Sequence, residues 1–331
     1  MGNFALGDWI TVKDATSTEH MHCIGKSGCL TRRSFTDDTD RAWRVRFTDD
    51  SEQIIYESEM DLNDWTPTKA ASKCGNDAVR RIVLISDLQM PLEHQRANRS
   101  VINFIHDYQP DEVINIGDIT DYTSPSRWSA GRRAEYGMTV RQEADYTRRK
   151  HLDPLRQGYS GPYTLLGSNH GERPRKYLVE RAPALYDDEA YREDKLLDLD
   201  DYGIAFEPLR YDFAPGWAAI HGHTQGISLS RHAGGTAINA ARRLDRNVVM
   251  GHTHRAGIVN ESTGSGASKT LTGVELGHLM DIRKAEYLGA ARFANWQMSI
   301  GLFYVDGKNV TPHLIPVRSN GSFIAEGEYY S

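Results

Sequence analysis

Residues 80–89 read Arg-Arg-Ile-Val-Leu-Ile-Ser-Asp-Leu-Gln. Ile82 to Ser86 is a short, continuous apolar run, the pattern of a strand buried on both faces. It gives way at once to Asp87-Leu88-Gln89. The same grammar recurs downstream. Glu112 to Gly117 is a second buried strand, followed by Asp118-Ile119-Thr120-Asp121, and Pro162 to Gly167 a third, followed by Ser168-Asn169-His170. Trp217 to His221 opens into His221-Gly222-His223, and Asn247 to Gly251 into His252-Thr253-His254. Helical patterns fall between: Gln95–Tyr108, a long charged and exposed stretch over Arg132–Gln157, Arg175–Arg181 ending before Pro183, and Ala233–Leu244. From Gly257 the pattern is mostly β, with turns at Gly264-Ser265-Gly266, Asp306-Gly307 and Asn320-Gly321. Alternating strands and helices with a β-rich tail predict an α/β sandwich with two layered sheets.

Upstream the period is different. Asp8 to Asp14 alternates, with Ile10 and Val12 on one face. In Ala42–Phe47, Trp43, Val45 and Phe47 share one face and Arg44 and Arg46 the other. Thr48-Asp49-Asp50-Ser51 is a turn signal, and Gln53–Tyr56 reads as the returning strand. Such short strands predict a small SH3-like all-β barrel over residues 1–65, with a linker over 66–79 and the α/β domain over 80–331.

The chain has 331 residues, a formal net charge of −6 and ordinary globular composition. That charge disfavours a protein that coats duplex nucleic acid by bulk positive charge, but leaves room for a local basic groove. Three cysteines, Cys23, Cys29 and Cys74, are too few for a disulfide framework and favour a reducing, cytoplasmic setting. No apolar run is long enough to span a bilayer, and no secretory signal core opens the chain, so no membrane association is expected. Met1-Gly2 suggests myristoylation, but Leu6 stands where Ser or Thr is needed. His20, His22, Cys23 and Cys29 match no zinc-finger spacing.

In α/β sheets, ligand sites form where strands give way to loops at their carboxyl ends. Every polar cluster named above lies at such a place. Together they offer the oxygen and nitrogen donors of a two-metal hydrolytic site, in which one oxygen ligand bridges ions about 3.5–4 Å apart. Asp118, on a tight turn after Gly117, suits the bridge. Asp87 adds a terminal carboxylate, Asn169 a neutral amide oxygen, and His221, His252 and His254 ring nitrogens.

This ordered set resembles the calcineurin-like metallophosphoesterase superfamily, whose pattern is D-x-H, G-D-x-x-D, G-N-H-[D/E], a lone His, then G-H-x-H. The resemblance covers roughly residues 80–315, and these features also look like the members found in bacteriophages. It implies a layered α-β-β-α domain and a dinuclear hydrolase. One ion would take Asp87, Gln89, Asp118 and His254, the other Asp118, Asn169, His221 and His252. His170 would protonate the leaving oxygen, and a hydroxide activated by the ions would attack. Asp121 would brace the turn, and Arg173, Arg175 and His223 would contact the phosphate. This chain departs from the pattern at three places. Gln89 replaces the usual His, which shifts the expected metal toward Mn²⁺, with Mg²⁺, Zn²⁺, Fe or Ni as alternatives. Ser168 replaces a Gly, and Gly171 displaces the following carboxylate to Glu172.

The expected function is a metal-dependent phosphodiesterase or nuclease acting on DNA, RNA or nucleotides, in the host cytoplasm if phage-encoded. A phosphomonoesterase and a metal-impaired binding module are the alternatives. The arginines of 132–157 read as a solvated, ion-paired helix, with a phosphate-tracking rim aided by Tyr136 and Tyr146 as the competing reading.

Overall fold

The computed structural model describes residues 9–13, 27–34, 42–47, 51–56, 60–62, 79–224, 226–266, 268–285 and 294–331. The first five strands are β1 (Trp9–Val12), β2 (Ser27–Ser34), β3 (Ala42–Phe47), β4 (Glu52–Tyr56) and β5 (Met60–Leu62). They form one antiparallel sheet in the order β4-β3-β2-β1-β5. Trp43, Val45 and Phe47 bury one face with Ile10, Val12, Leu30 and Ile55, while Arg44 is exposed. Strands β2 and β5 carry no clear alternation, so the sequence does not announce them. Cys29 pairs across β2 with Trp9 and Arg46, whereas His20, His22, Cys23, Cys74 and most of the expected linker lie outside the described residues.

Downstream the chain alternates as its periodicity requires. Strands β6 (Arg80–Ile85), β7 (Glu112–Asn115), β8 (Tyr163–Leu166) and β9 (Ala205–Glu207) run parallel. Helices α1 (Gln95–Tyr108), α2 (Val140–Thr147), α3 (Asp153–Gly158), α4 (Arg173–Arg181) and the short α5 (Glu193–Leu196) fall between them. Strands β10 (Tyr211–Ala214) and β11 (Trp217–Ile220), helix α6 (Gly235–Leu244), and strands β12 (Asn247–Met250), β13 (Ala256–Thr263) and β14 (Lys269–Leu276) build a second sheet in the order β10-β11-β12-β14-β13. Strands β15 (Ser299–Asp306) and β16 (Asn309–Pro316) return to extend the first sheet, giving β16-β15-β6-β7-β8-β9. A hairpin of β17 (Phe323–Ala325) and β18 (Glu328–Tyr330) closes the chain.

Three cores make this an α-β-β-α sandwich. Ile82, Leu84, Ile114, Leu166 and Phe303 of the first sheet meet Phe213, Trp217, Val249 and Val274 of the second. The opposite pleat of the first sheet, with Val83, Ile85, Val113 and Leu165, packs against Val101, Phe104 and Ile105 of α1 and Leu155 of α3. Helix α6 covers the outer face of the second sheet through Ala237, Ile238 and Ala241 over Ile220 and Val248. Each fully buried Leu, Ile or Val contributes about 1.5–3 kcal/mol, so both faces of the parallel strands must be apolar, as their sequences are. Strand β2 of the N-terminal sheet touches α3.

One expectation is corrected. Residues 132–157 are not a single exposed helix but a 3-10 turn (Arg133–Tyr136), α2, a π turn (Arg148–Leu152) and α3. Ala144, Leu152 and Leu155 recur at helical spacing and draw this side into the core. Arg156 is buried and donates to the carbonyls of Tyr159, Gly161 and Gly203. Tyr146 donates to Glu93 Oε1 at 2.8 Å. Among the described residues, no helix is long and apolar enough to cross a membrane.

Candidate dinuclear metal centre

The carboxyl ends of both sheets meet, and the clusters read from the sequence converge there. Asp87 and Gln89 follow β6, Asp118 follows β7, Asn169 and His170 follow β8, His221 follows β11, and His252 and His254 follow β12. Asp87, Gln89, Asp118, His252 and His254 all sit in the left-handed region, with φ of 52°, 49°, 51°, 68° and 58°. Each such non-glycine conformation costs on the order of 1 kcal/mol or more and persists only where surroundings hold it. Here the loops hold one another: Asp87 N donates to Gly117 O (3.1 Å), Gln89 N to Asp118 O (2.8 Å) and His252 N to Asp87 Oδ2 (3.0 Å). Two glycines are needed for room. A Cβ on Gly117, whose φ is +88°, would lie 2.7 Å from Ser168 Cβ, and one on Gly251 would lie 2.6 Å from Asp87 Oδ2.

Two half-sites result. In one, His221 Nε2 lies 2.9 Å from Asn169 Oδ1 and 3.3 Å from Asp118 Oδ2. The other ring nitrogen of His221 lies 2.7 Å from the Ile116 carbonyl, so Nδ1 carries a proton and donates it there. Neutral His221 would then point three lone-pair atoms at one another, an arrangement that requires a proton or a cation between them. Donor atoms of Asp118, His221 and His252 all fall within 4.8 Å of one another. In the other half-site, Asp87 Oδ1 lies 3.1 Å from His254 Nε2, and the Gln89 amide nitrogen lies 3.1 Å from the same atom. Asp87 Oδ1 is buried and has no well-directed hydrogen bond. The orphaned Asp87 Oδ1 on one side and the facing lone pairs of Asp118, Asn169 and His221 on the other fit divalent cations.

The electrostatics agree. Burial opposes the charge on Asp118, yet His170 and His221 outweigh it and hold the carboxyl well below its ordinary range. Burial likewise works against Asp87, and His254 overcomes it, so its pKa is lowered. His221 is disfavoured by burial but pushed up to about 9 by the Asp118 carboxylate. His252 is driven down to about 4, by burial and then by His221, which leaves it neutral and able to ligate.

His170 stands beside the centre. Its Nδ1 lies 2.9 Å from Asp121 Oδ1, and its Nε2 lies 3.5 Å from Asp118 Oδ2 and 3.0 Å from Arg173 Nη2. Arg173 also donates to the Asp121 carbonyl at 2.6 Å. Asp121 therefore orients the histidine, and the displaced carboxylate does not: Glu172 binds Lys176 at 2.5 Å and faces His223 Nε2 at 3.7 Å. Ser168, at the position where the family pattern has glycine, accepts from Gly171 N at 3.2 Å and ties the turn. His223 lies with its ring 5.3 Å from that of His221, both its nitrogens buried without hydrogen bonds. Arg175 lies over Tyr186.

Sequence reasoning missed three neighbours. His278, after Gly277 at the end of β14, and Trp296 flank His254, with ring centroids 5.3 and 4.2 Å away. Burial, then His254, push His278 down to about 3. The rule that marked the other ligands, a polar residue where a buried strand ends, also marks His278. Glu193 is buried near Asp118 and is held well above the ordinary carboxylate range by burial and then by that charge. No periodicity marks it.

Fold and site together define a layered α/β protein with an Asp, Asn and His constellation where its two sheets meet. The chain belongs to the family of the mycobacteriophage Gene 54 proteins. It is 41% identical over 253 residues to the Gene 54 protein of Mycobacterium phage L5, which spans 76% of this chain and 98% of that one. It is 41% identical over 254 residues to the Gene 54 protein of phage D29, with the same shares. No family model matches the chain. Among solved structures it is similar to Vps29 of Chaetomium thermophilum, with 15% identity, 76% of this chain and 98% of that one covered, and a TM-score of 0.40. It is also similar to TT1561 of Thermus thermophilus, with 13% identity, 72% and 99% coverage, and a TM-score of 0.30. Likeness at that level carries no chemistry, which has to come from this chain's own side chains.

Proposed function

We propose that the chain is a metal-dependent phosphoesterase of the calcineurin-like kind, hydrolysing phosphodiesters of nucleic acid with two divalent ions, Mn²⁺ first among them. The observation that carries this is the meeting of Asp118 Oδ2, Asn169 Oδ1 and His221 Nε2, beside a second cluster of Asp87, Gln89 and His254. The Asp118 charge acts on Asp87 of the second cluster, and His170 lies next to Asp118. Divalent ions bound there would bring a water's pKa toward 7 and offset the charge on a phosphoryl oxygen.

The chain's own groups account for the rest. Asp121 Oδ1, 2.9 Å from His170 Nδ1, would face the Nδ1–H of a doubly protonated ring, whose Nε2–H is then the proton given to the leaving oxygen. A sugar alkoxide is a poor leaving group, so this proton matters more for a diester than for an activated monoester. Arg173, 3.0 Å from that Nε2, places a fixed positive charge where the phosphate would lie. Beyond it, the loop after Asp121 presents Trp128, 61% exposed with Arg127 over its ring, and Tyr136, 82% exposed. Arginine beside exposed aromatics suits unstacked bases and their phosphates. Because the Gene 54 relatives are phage proteins, we place the action in the host cytoplasm.

A second reading, a binding module with an impaired Asp87 half-site, is favoured by Gln89, whose amide is a weaker ligand than imidazole. The test is Mn²⁺-dependent hydrolysis of bis-p-nitrophenyl phosphate beside a monoester and single- and double-stranded DNA and RNA. Diester turnover that is lost in Asp118→Ala supports the proposal. Monoester turnover alone would make the protein a phosphatase, and no turnover with any divalent ion would favour the binding module.

A further inference from the structure

The turn that carries Asn169 and His170 continues into Gly171, whose φ is not in the left-handed region, so backbone conformation does not call for glycine there. Space does. A Cβ on Gly171 would lie 1.8 Å from Glu193 Oε2, 2.2 Å from its Cδ and 2.6 Å from Oε1. The Glu193 carboxyl therefore fills the volume that a side chain at 171 would begin to occupy. It arrives from a distant segment. Glu193 is the first residue of α5, and Leu196, Leu197 and Leu199 just beyond it are anchored in the core under the first sheet. The residue is 5% exposed, and its Oε1 makes no hydrogen bond. Asp118 and His221, two residues of the Asp118 half-site, lie close enough to act on its charge.

A buried carboxyl with an unpartnered oxygen is costly. Retaining one against the backbone of the turn that presents Asn169 points to a task at that turn. Glu172, the nearest carboxylate in sequence, is already engaged by Lys176. We infer that Glu193 is a positioning residue of the metal centre: its carboxyl seats the Asn169–His170–Gly171 turn from below, and glycine at 171 is what admits it. The inference rests on the metal reading of the site and adds to it a group from outside every sequence cluster.

The test is a double-mutant cycle on the full chain with Gly171→Ala, Glu193→Ala and the double variant, plus Glu193→Gln. Mn²⁺ affinity is read by electron paramagnetic resonance, and folding by thermal unfolding. An alanine at 171 collides with a side-chain tip, so it should expel the Glu193 carboxyl without breaking the backbone. Gly171→Ala, Glu193→Ala and the double variant should then show the same loss of Mn²⁺ affinity, about tenfold, the size typical of removing a partner behind a metal ligand. Glu193→Gln, which keeps the shape, should restore most of it. Two losses that multiply in the double variant, or a Glu193→Ala protein with wild-type Mn²⁺ affinity, would overturn the inference. If the wild-type chain bound no Mn²⁺ at all, the metal reading would fail. A non-additive pattern in thermal unfolding alone would then reduce Glu193 to a packing residue and overturn its positioning role.

Discussion

The two half-sites differ in a way that matters more than their likeness. Around Asp118, three facing groups are ones that a cation would satisfy: a carboxylate, an amide oxygen and an imidazole whose other nitrogen is tied to Ile116 O at 2.7 Å. Around Asp87, one of three positions is Gln89, its amide against His254, and the surroundings are closed by Trp296 and His278. Ligand atoms of similar count can thus make a strong site and a weak one. The difference lies in His252, which gives the Asp118 half-site a second imidazole, and in how firmly neighbours fix the donors. The Asp118 half-site should fill first and hold its ion more tightly.

On the proposed reading Asp118 serves both sides, so Asp118→Ala should erase the comparison. Diester turnover should fall to background and Mn²⁺ affinity by more than about a hundredfold, beyond the roughly 10–100-fold typical of losing a mere partner of a ligand. Equilibrium dialysis with an activity assay checks both. His170→Ala should leave both half-sites occupied and still slow diester hydrolysis by about 10²–10⁴-fold. Unchanged metal content with unchanged rate would remove His170 from the chemistry. Gln89→His is aimed at the difference itself. It should raise affinity at the weaker half-site by roughly tenfold and shift preference toward Zn²⁺, seen as convergence of the two binding steps in a titration.

The smallest effect is on pH. Metal-free His221 has its pKa raised from 6.5 to about 9. A raised folded-state pKa stabilises the protein fully below the unfolded value, and that contribution is lost as pH rises through the folded value. The metal-free chain should therefore lose stability between pH 6.5 and about 9 through this group. Metal replaces the proton, so the loss should vanish in Mn²⁺. Melting curves across that window, with and without the ion, show it.

Much of this was legible in the chain because strand ends have a simple signature. Ile82–Ser86 followed by Asp87 is apolar, then abruptly polar, and the same step marks Asp118, Asn169, His221 and His252. Periodicity also placed α1 and strands β6, β7, β8, β11 and β12. It failed over 132–157, where abundant charge masked the apolar stripe of Ala144, Leu152 and Leu155. It could not find Glu193, because a residue that enters a site across 22 positions from Gly171 leaves no local pattern. Nor could it find β2, whose Ser-Gly-Cys-Leu-Thr-Arg-Arg-Ser lacks alternation and is held by β1 and β3 on either side.

Anomalous diffraction from crystals grown with Mn²⁺ tests the central claim most directly. Two peaks per chain are expected, both adjoining Asp118, one among Asn169, His221 and His252 and a weaker one among Asp87, Gln89 and His254. A single peak remote from Asp118, or none at saturating Mn²⁺, would contradict a dinuclear centre.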